Sequence, residues 1–386
     1  MAQGDGLFLL GGSKENTSTF KQRFCNVFVY PFSKSRFYRQ WKPAPMDIRF
    51  RLTNKCDDCC ARCFECSGPK NNLDIIPVED IEYYANVQNG QYKSVCMTGG
   101  EWSLIYDKEP HYMAKIFDKL DLSKSDEYII QTNAGWMNDS KSEQILRDLK
   151  QVQSMVGKHG KTLKLDTSVY RYRCQRSLEG VVKLIRAVAV DPEFEHTKIR
   201  ILSCGLDRGL TNNVVLKPEF FEPYGITLTF QARDIKNPFF QICYANNTRI
   251  VIHEEGVTMQ IGRAKQNNFG YKIYYPELQC DGLQPEDPLM ELSLREDGMI
   301  KWHNWYDWNI MVPYKDANGQ NKPIEQIRQE LIDMAWHRNL RYNIKNALLE
   351  AIPVFGLLSQ LHINRQMKES FDKNYQRLTF TGRRIK

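Results

Sequence analysis

An α/β fold built on a parallel sheet is what this sequence predicts. Three observations carry that prediction. Short apolar runs of strand character alternate with amphipathic stretches of helical period from residue 47 to residue 232. Cysteine-, glycine- or threonine-bearing polar turns follow the first three strand runs directly. From residue 248 onward the alternation gives way to hairpin patterns and then to helical ones. Such alternation means βαβ units, right-handed crossovers and a parallel sheet.

In chain order, DIRFRLT (47–53) reads as a strand running into a cysteine-dense loop. PVEDIEYYANV (77–87) has helical spacing, with Pro77 near its start. KSVCMT (93–98) is a short strand ending in Gly99-Gly100, and HYMAKIFDKL (111–120) is helical. EYIIQT (127–132) is a strand, and SEQILRDLKQVQSMV (142–156) a clear amphipathic helix. TLKLDTS (162–168) is a strand and SLEGVVKLIRAVAV (177–190) a helix. TKIRILS (197–203) and GITLTFQA (225–232) complete six strands, with a short helix in KPEFFEPY between them. Six such units suit a partial (β/α)6 barrel, with chemistry at the C-terminal ends of the strands. TRIVIHEEGVTMQIGRA (248–264) reads as a hairpin turning near Glu255-Gly256. MELSLREDGMIKWHNW (290–305) reads as another, turning at Asp297-Gly298. Residues 323–352 and 356–378 are mostly helical, separated by Pro353.

Bulk properties narrow the class. The 386 residues allow one large α/β domain with an appendage, or two domains. Apolar residues make up 42% and charged residues 26%, as in ordinary soluble globular chains. No run of about 18 apolar residues occurs, so no membrane-spanning helix is expected. The start, MAQGDGLFLLGGSKENTS, has no basic n-region, and the expected location is the cytoplasm. The net charge of +7 is spread along the chain, apart from the tail TFTGRRIK. It reads as a solvated surface with a slight pull toward anionic partners.

Eleven cysteines in a cytoplasmic chain do not call for disulfides. Five of them, Cys56, Cys59, Cys60, Cys63 and Cys66, fall within RLTNKCDDCCARCFECSG (51–68), and the rest are scattered singly. Thiolates bind zinc or iron–sulfur clusters. Structural zinc usually takes two separated ligand pairs, and no second pair or nearby histidine is present; the closest in sequence is His111. Cys56-x3-Cys60-x2-Cys63 has the spacing for a [4Fe–4S] cluster held by three cysteines with one iron left open. Cys59-x3-Cys63-x2-Cys66 satisfies the same pattern.

The first register, directly after a strand ending Leu-Thr-Asn-Lys, resembles the radical S-adenosylmethionine (radical SAM) superfamily signature CxxxCxxC. Its lead-in, Asp57, and Phe64 after the third cysteine resemble the family pattern. The residue before the third cysteine departs from it, being Arg62 where an aromatic is usual. MTGGEWSL (97–104) resembles the family's GGE motif, with Trp102 in place of the usual proline. Glycines admit a close backbone approach, and a carboxylate can hold an ammonium group. IIQTNA (129–134) resembles the third-strand ending Thr-Asn-Gly, with Ala134 replacing glycine. Asp166 and Ser168 on the fourth strand stand where family members place a polar contact to SAM, and Arg200 and Ser203 on the fifth resemble it more loosely. Gly262-Arg263-Ala264 resembles a feature beyond the barrel of peptide-modifying members.

The resemblance implies a TIM-like partial barrel over 47–265, preceded by an N-terminal extension (1–46). A small α+β C-terminal region follows (266–386), similar to a worn SPASM or twitch region. There Cys280 stands alone and His303 replaces an expected ligand, so no auxiliary cluster is expected. The resemblance also implies that Cys56, Cys60 and Cys63 ligate a [4Fe–4S] cluster. Gly99, Gly100, Glu101, Thr132, Asn133, Asp166 and Ser168 would bind S-adenosyl-L-methionine. A flavodoxin or ferredoxin would supply the electron. The substrate reading is a peptide or protein. The alternatives are a nucleotide, nucleic acid or small metabolite, and a non-catalytic metal-binding interaction protein. Trp302, Trp305 and Trp308 read as packing of the C-terminal lobe ahead of a substrate platform.

Overall fold

A computed structural model of the chain describes residues 47–60, 63, 65–86, 92–170, 173–204, 211–232, 240–255, 291–302, 311–331 and 333–334. The expectations for residues 1–46, Arg62, Phe64, Gly262-Arg263-Ala264, Cys280, His303, Trp305, Trp308 and the helix at 356–378 lie outside these residues. Eleven strands form one sheet in the order β11-β10-β9-β1-β2-β3-β4-β5-β8-β7-β6.

The first five strands are β1 (Asp47–Arg51), β2 (Tyr92–Thr98), β3 (Ser125–Thr132), β4 (Thr162–Ser168) and β5 (Thr197–Cys204). They lie side by side in sequence order, each parallel to the next. Helices α1 (Val78–Ala85), α2 (Tyr112–Lys119), α3 (Ser142–Lys158) and α4 (Gln175–Val190) make the crossovers. Their buried stripes have helical spacing: Ile145, Leu149, Val152 and Val156 on α3, and Val181, Leu184, Ile185 and Val188 on α4. The α/β expectation therefore holds in the element order, the parallel register and the helix positions.

The sixth place differs. GITLTFQA contributes only β6 (Leu228–Phe230), which pairs antiparallel with β7 (Phe240–Ala245) at the sheet edge. The strand parallel to β5 is β8 (Thr248–Glu255), which the sequence reading placed in a separate hairpin. β8 does belong to a hairpin, but its partner is β7 and its turn is at Asn246-Asn247, with Asn246 at φ 50°. Asparagine tolerates the left-handed conformation that tight hairpin turns require, and Asn246-Asn247 is the local signal for this turn. Beyond Glu255 the expected turn lies outside the described residues.

The C-terminal hairpin is present as β9 (Glu291–Arg295) and β10 (Met299–Trp302), antiparallel and turning at Asp297-Gly298. It extends the same sheet, because β9 pairs parallel with β1. β11 (Met311–Pro313) closes that edge, and residues 324–331 are helical.

Register explains the core. Ile300, Leu294, Phe50, Met97, Ile130, Leu165, Ile199, Ile250 and Cys243 are successive cross-strand partners and are all fully buried. Side chains one residue along point to the other face. There Arg51, Thr98, Gln131, Asp166 and Arg200 form a polar row, with Thr98 Oγ1 donating to Gln131 Oε1 at 2.7 Å. Among the described residues no helix is long and apolar enough to cross a membrane.

One contact between α4 and the turn after β3 is unusually close. A Cβ added at Gly180 of α4 would lie 2.0 Å from the carbonyl oxygen of Ala134. Inside a helix, alanine is normally favoured over glycine by about 1 kcal/mol. Here Gly180→Ala is expected to have the opposite sign, lowering stability by about 1–3 kcal/mol through overpacking against the backbone. Urea unfolding of wild type and variant measures this, and an unchanged or raised midpoint would contradict the contact.

Candidate functional site

The site is assembled at the C-terminal ends of β1, β2 and β3. After β1 the chain enters the cysteine loop, which is sealed at its base. Cys56 N–H donates to the Gly68 carbonyl at 3.2 Å, and Ser67 Oγ to Asn54 Oδ1 at 2.8 Å. The Asn71 amide reaches the carbonyls of both Asn54 and Cys66. Within the loop, Cys63 N–H donates to the Cys60 carbonyl at 3.1 Å. Cys56 is buried, Cys60, Cys63 and Cys66 are half-buried, and Cys59 is exposed.

The glycines after β2 lie against this loop. Gly100 N–H donates to the Thr53 carbonyl at 2.7 Å, and Glu101 N–H to the Lys55 carbonyl at 2.8 Å. A Cβ at Gly100 would stand 1.9 Å from the Lys55 oxygen, and one at Gly99, where φ is +145°, 2.6 Å from the Thr53 oxygen. The close approach that the Gly-Gly pair makes is thus to the backbone leading into the cysteines.

Glu101 is buried between the strand ends. Its carboxylate accepts from Thr132 Oγ1 at 3.0 Å, Asn133 N–H at 2.6 Å and Ser103 N–H at 3.3 Å. Burial pushes its pKa up to about 7, helped by the nearby Asp57 charge and opposed by these donors. Asn133 closes the triangle: its Nδ2 donates to Asp57 Oδ1 at 2.5 Å and lies 3.8 Å from Cys56 Sγ. Burial, with the Glu101 and aspartate charges, also raises the Cys56 thiol pKa strongly. Ala134, in the place of the expected glycine, adopts φ 61°, and its N–H is held by Thr132 Oγ1 at 2.9 Å. Trp102 is a core residue, its ring 6.1 Å from that of Trp136.

Cys56, Gly99, Gly100, Glu101, Thr132 and Asn133 are therefore brought together. Ser168 joins them less directly, accepting from Arg173 Nη2 at 2.5 Å. Asp166 sits deeper on β4 in a bidentate pair with Arg200. Arg200 is thus engaged with Asp166, and Ser203 lies buried at the end of β5.

Two groups were not found by sequence reasoning. Asp58 is buried and accepts from Cys174 Sγ at 2.7 Å and Ser177 Oγ at 2.8 Å, tying the loop to the start of α4. Arg173 is a buried guanidinium 3.6 Å from Asp58, kept charged against its burial by Cys60, Asp58 and Cys56. Its Nε and Nη1 have no hydrogen-bond partner among the described residues. The only sequence signal was two successive aspartates in a cysteine loop, with a basic residue far away to balance them.

A buried guanidinium that interacts electrostatically with Cys60 and Cys56 as well as Asp58, with N–H groups lacking a hydrogen-bond partner among the described residues, suits a thiolate-bound cluster, which carries net negative charge; on this observation the residues fit an iron–sulfur group. Among the described residues no three His, Cys, Asp or Glu side chains converge as ligands of a single metal ion. Cluster ligands bind separate irons and do not converge in that way.

Glu101 yields a pH prediction for the metal-free protein. Its folded pKa lies above the ordinary value, so the folded state holds a proton that the unfolded chain has lost between about pH 4.5 and 7. Stability from this group is full below that window, declines through it by on the order of 3 kcal/mol, and is flat above it. Glu101→Gln is expected to remove the slope while lowering stability overall, because an amide cannot accept from every donor there. Denaturant titrations across pH would reveal whether the variant keeps the wild-type slope, which would clear Glu101 of the effect.

No family model matches the chain, and no curated protein matches it in sequence. Among solved structures it is similar to crystal structures of Streptococcus suis SuiB. The form bound to S-adenosylmethionine is 13% identical over 76% of this chain and 66% of that one, with a TM-score of 0.34. A further crystal structure of SuiB is 14% identical over 78% and 67%, and the form bound to precursor peptide SuiA 13% over 78% and 66%; both have a TM-score of 0.35. The chain thus spans about two thirds of the length of SuiB.

Proposed function

We propose that this chain is a radical SAM enzyme whose core is a partial (β/α)6 barrel spanning 47–265. The observation that carries the reading is the convergence of three stretches far apart in sequence. The Cys56 loop, the Gly99-Gly100-Glu101 turn and Thr132-Asn133 are joined by direct hydrogen bonds at one end of a parallel sheet. Such convergence at the C-terminal ends of parallel strands is where α/β folds place their chemistry.

In this reading Cys56, Cys60 and Cys63 hold a [4Fe–4S] cluster. Support for this register over Cys59, Cys63 and Cys66 comes from Cys56, which is buried against Asn133, whereas Cys59 is exposed. A cluster held there would supply the one-electron chemistry for reductive cleavage of S-adenosylmethionine and hydrogen abstraction from a substrate. Arg173 offsets the negative charge beside Cys56 and Cys60. Glu101, Thr132, Asn133 and Ser168 form the polar rim that receives the methionine end of SAM, and Glu101 is the carboxylate for its ammonium. Asp166 acts through Arg200 to shape the polar face below. The substrate in this reading is a peptide or protein, and the electron comes from a flavodoxin- or ferredoxin-type carrier.

The test is anaerobic reconstitution with iron and sulfide, then dithionite and SAM, with 5′-deoxyadenosine read by mass spectrometry. Wild type is expected to form deoxyadenosine and Cys60→Ala to form at least about a hundredfold less, as expected when a group needed only for the chemical step is removed. Bound zinc with no cluster and no SAM binding would overturn the reading in favour of a metal-binding interaction protein.

A further inference from the structure

The second half of the cysteine loop is tied to a part of the chain that the proposed chemistry does not use. Glu65 lies between Cys63 and Cys66. Its Oε2 takes Arg51 Nη1 of β1 at 2.7 Å, and its Oε1 takes Lys301 Nζ of β10 at 2.7 Å. Arg295 of β9 stands 3.6 Å away. Arg51 is 2% exposed and Lys301 1%. Arg51 also grips Glu296, at the end of β9, through Nε at 2.7 Å and Nη2 at 2.6 Å. Two buried cations from separate strands thus converge on one loop carboxylate.

Such a cluster is not explained by stability alone. Buried ion pairs recover their desolvation cost only with good geometry, and apolar replacements are often as stable. What a buried charge set does supply is a unique arrangement, since any displacement strands a charge without its partner. The arrangement fixed here is that of the loop against the β9–β10 hairpin. Arg51–Glu296 joins β1 to the end of β9, whereas Lys301–Glu65 joins the hairpin to the loop itself. The first half of the loop has different anchors, Asp57 to Asn133 and Asp58 to Ser177.

We propose that the β9–β10 hairpin is a positioning element for the cysteine loop, acting through the Glu65–Arg51–Lys301 cluster. Cys63 and Cys66 keep their places only while the hairpin is docked, whereas Cys56 is held independently. Lys301 and Glu65 are positioning residues, not catalytic ones. The placement of the thiols stands on the geometry alone; its consequence for cluster retention rests on the radical SAM reading above.

The test uses the full-length chain in its metal-free, reduced form. Alkylation of each cysteine by iodoacetamide is followed by mass spectrometry in wild type, Lys301→Met, Glu65→Gln and Glu296→Gln. Glu65→Gln keeps a hydrogen-bonding side chain and serves where Lys301→Met folds poorly. Lys301→Met and Glu65→Gln are expected to raise alkylation of Cys63 and Cys66 about tenfold, with Cys56 unchanged, as local opening of the loop requires. Glu296→Gln removes one partner of Arg51 but leaves both cations on Glu65 and the β1–β9 pairing in place, and is expected to leave this pattern at its wild-type level. Equal acceleration at Cys56 and Cys63, or acceleration at neither, overturns the proposal. A second arm follows iron removal by a chelator from reconstituted protein, expected to be about tenfold faster in Lys301→Met. If wild type takes up no cluster, the radical SAM reading fails while the alkylation arm still decides the role of the hairpin.

Discussion

Gly99 and Gly100 press their backbone against that of Thr53–Lys55, and the rest of the site follows from that contact. Two hydrogen bonds cross it, from Gly100 to Thr53 and from Glu101 to Lys55. Any side chain at either glycine would occupy the volume of a carbonyl group. With the backbone fixed there, Glu101 faces the end of β3, where Thr132 and Asn133 donate to it. Asn133 in turn reaches Asp57 and Cys56. One steric allowance just after β2 therefore sets the relation of the cysteine loop to the third strand.

The acidic residues of the loop work as its anchors. Asp57 is taken by Asn133, Asp58 by Cys174, Ser177 and Arg173, and Glu65 by Arg51 and Lys301. These partners come from β1, β3, α4 and the C-terminal hairpin, so the loop is gripped from several directions. The positive groups that hold the carboxylates also offset the charge that metal-bound thiolates would bring.

The two faces of the sheet divide the labour. One carries the continuous buried row from Ile300 to Cys243 and packs beneath the helices. The other carries Arg51, Thr98, Gln131, Asp166 and Arg200 in register. That second face carries polar and charged side chains below the rim where the motifs meet, with Arg51 and Asp166 themselves buried. The pair Asp166–Arg200 keeps that surface charge-balanced.

Much of this was legible in the residues. Periodicity located the first five strands and the four crossover helices, because strands and helices of a parallel sheet bury apolar side chains at fixed spacings. The order of Cys56, Gly99-Gly100-Glu101 and Thr132-Asn133 gave the rim, because each follows a strand end directly. Only the tertiary structure decided the sixth strand: β8 rather than 225–232 takes it, since pairing partners are chosen by non-local packing that no local pattern encodes. It alone joined Asp58 to Ser177 and Glu65 to Lys301, residues 119 and 236 positions apart. Charge pairing across such separations depends on where the chain returns in space, and a sequence records the charges without recording their neighbours.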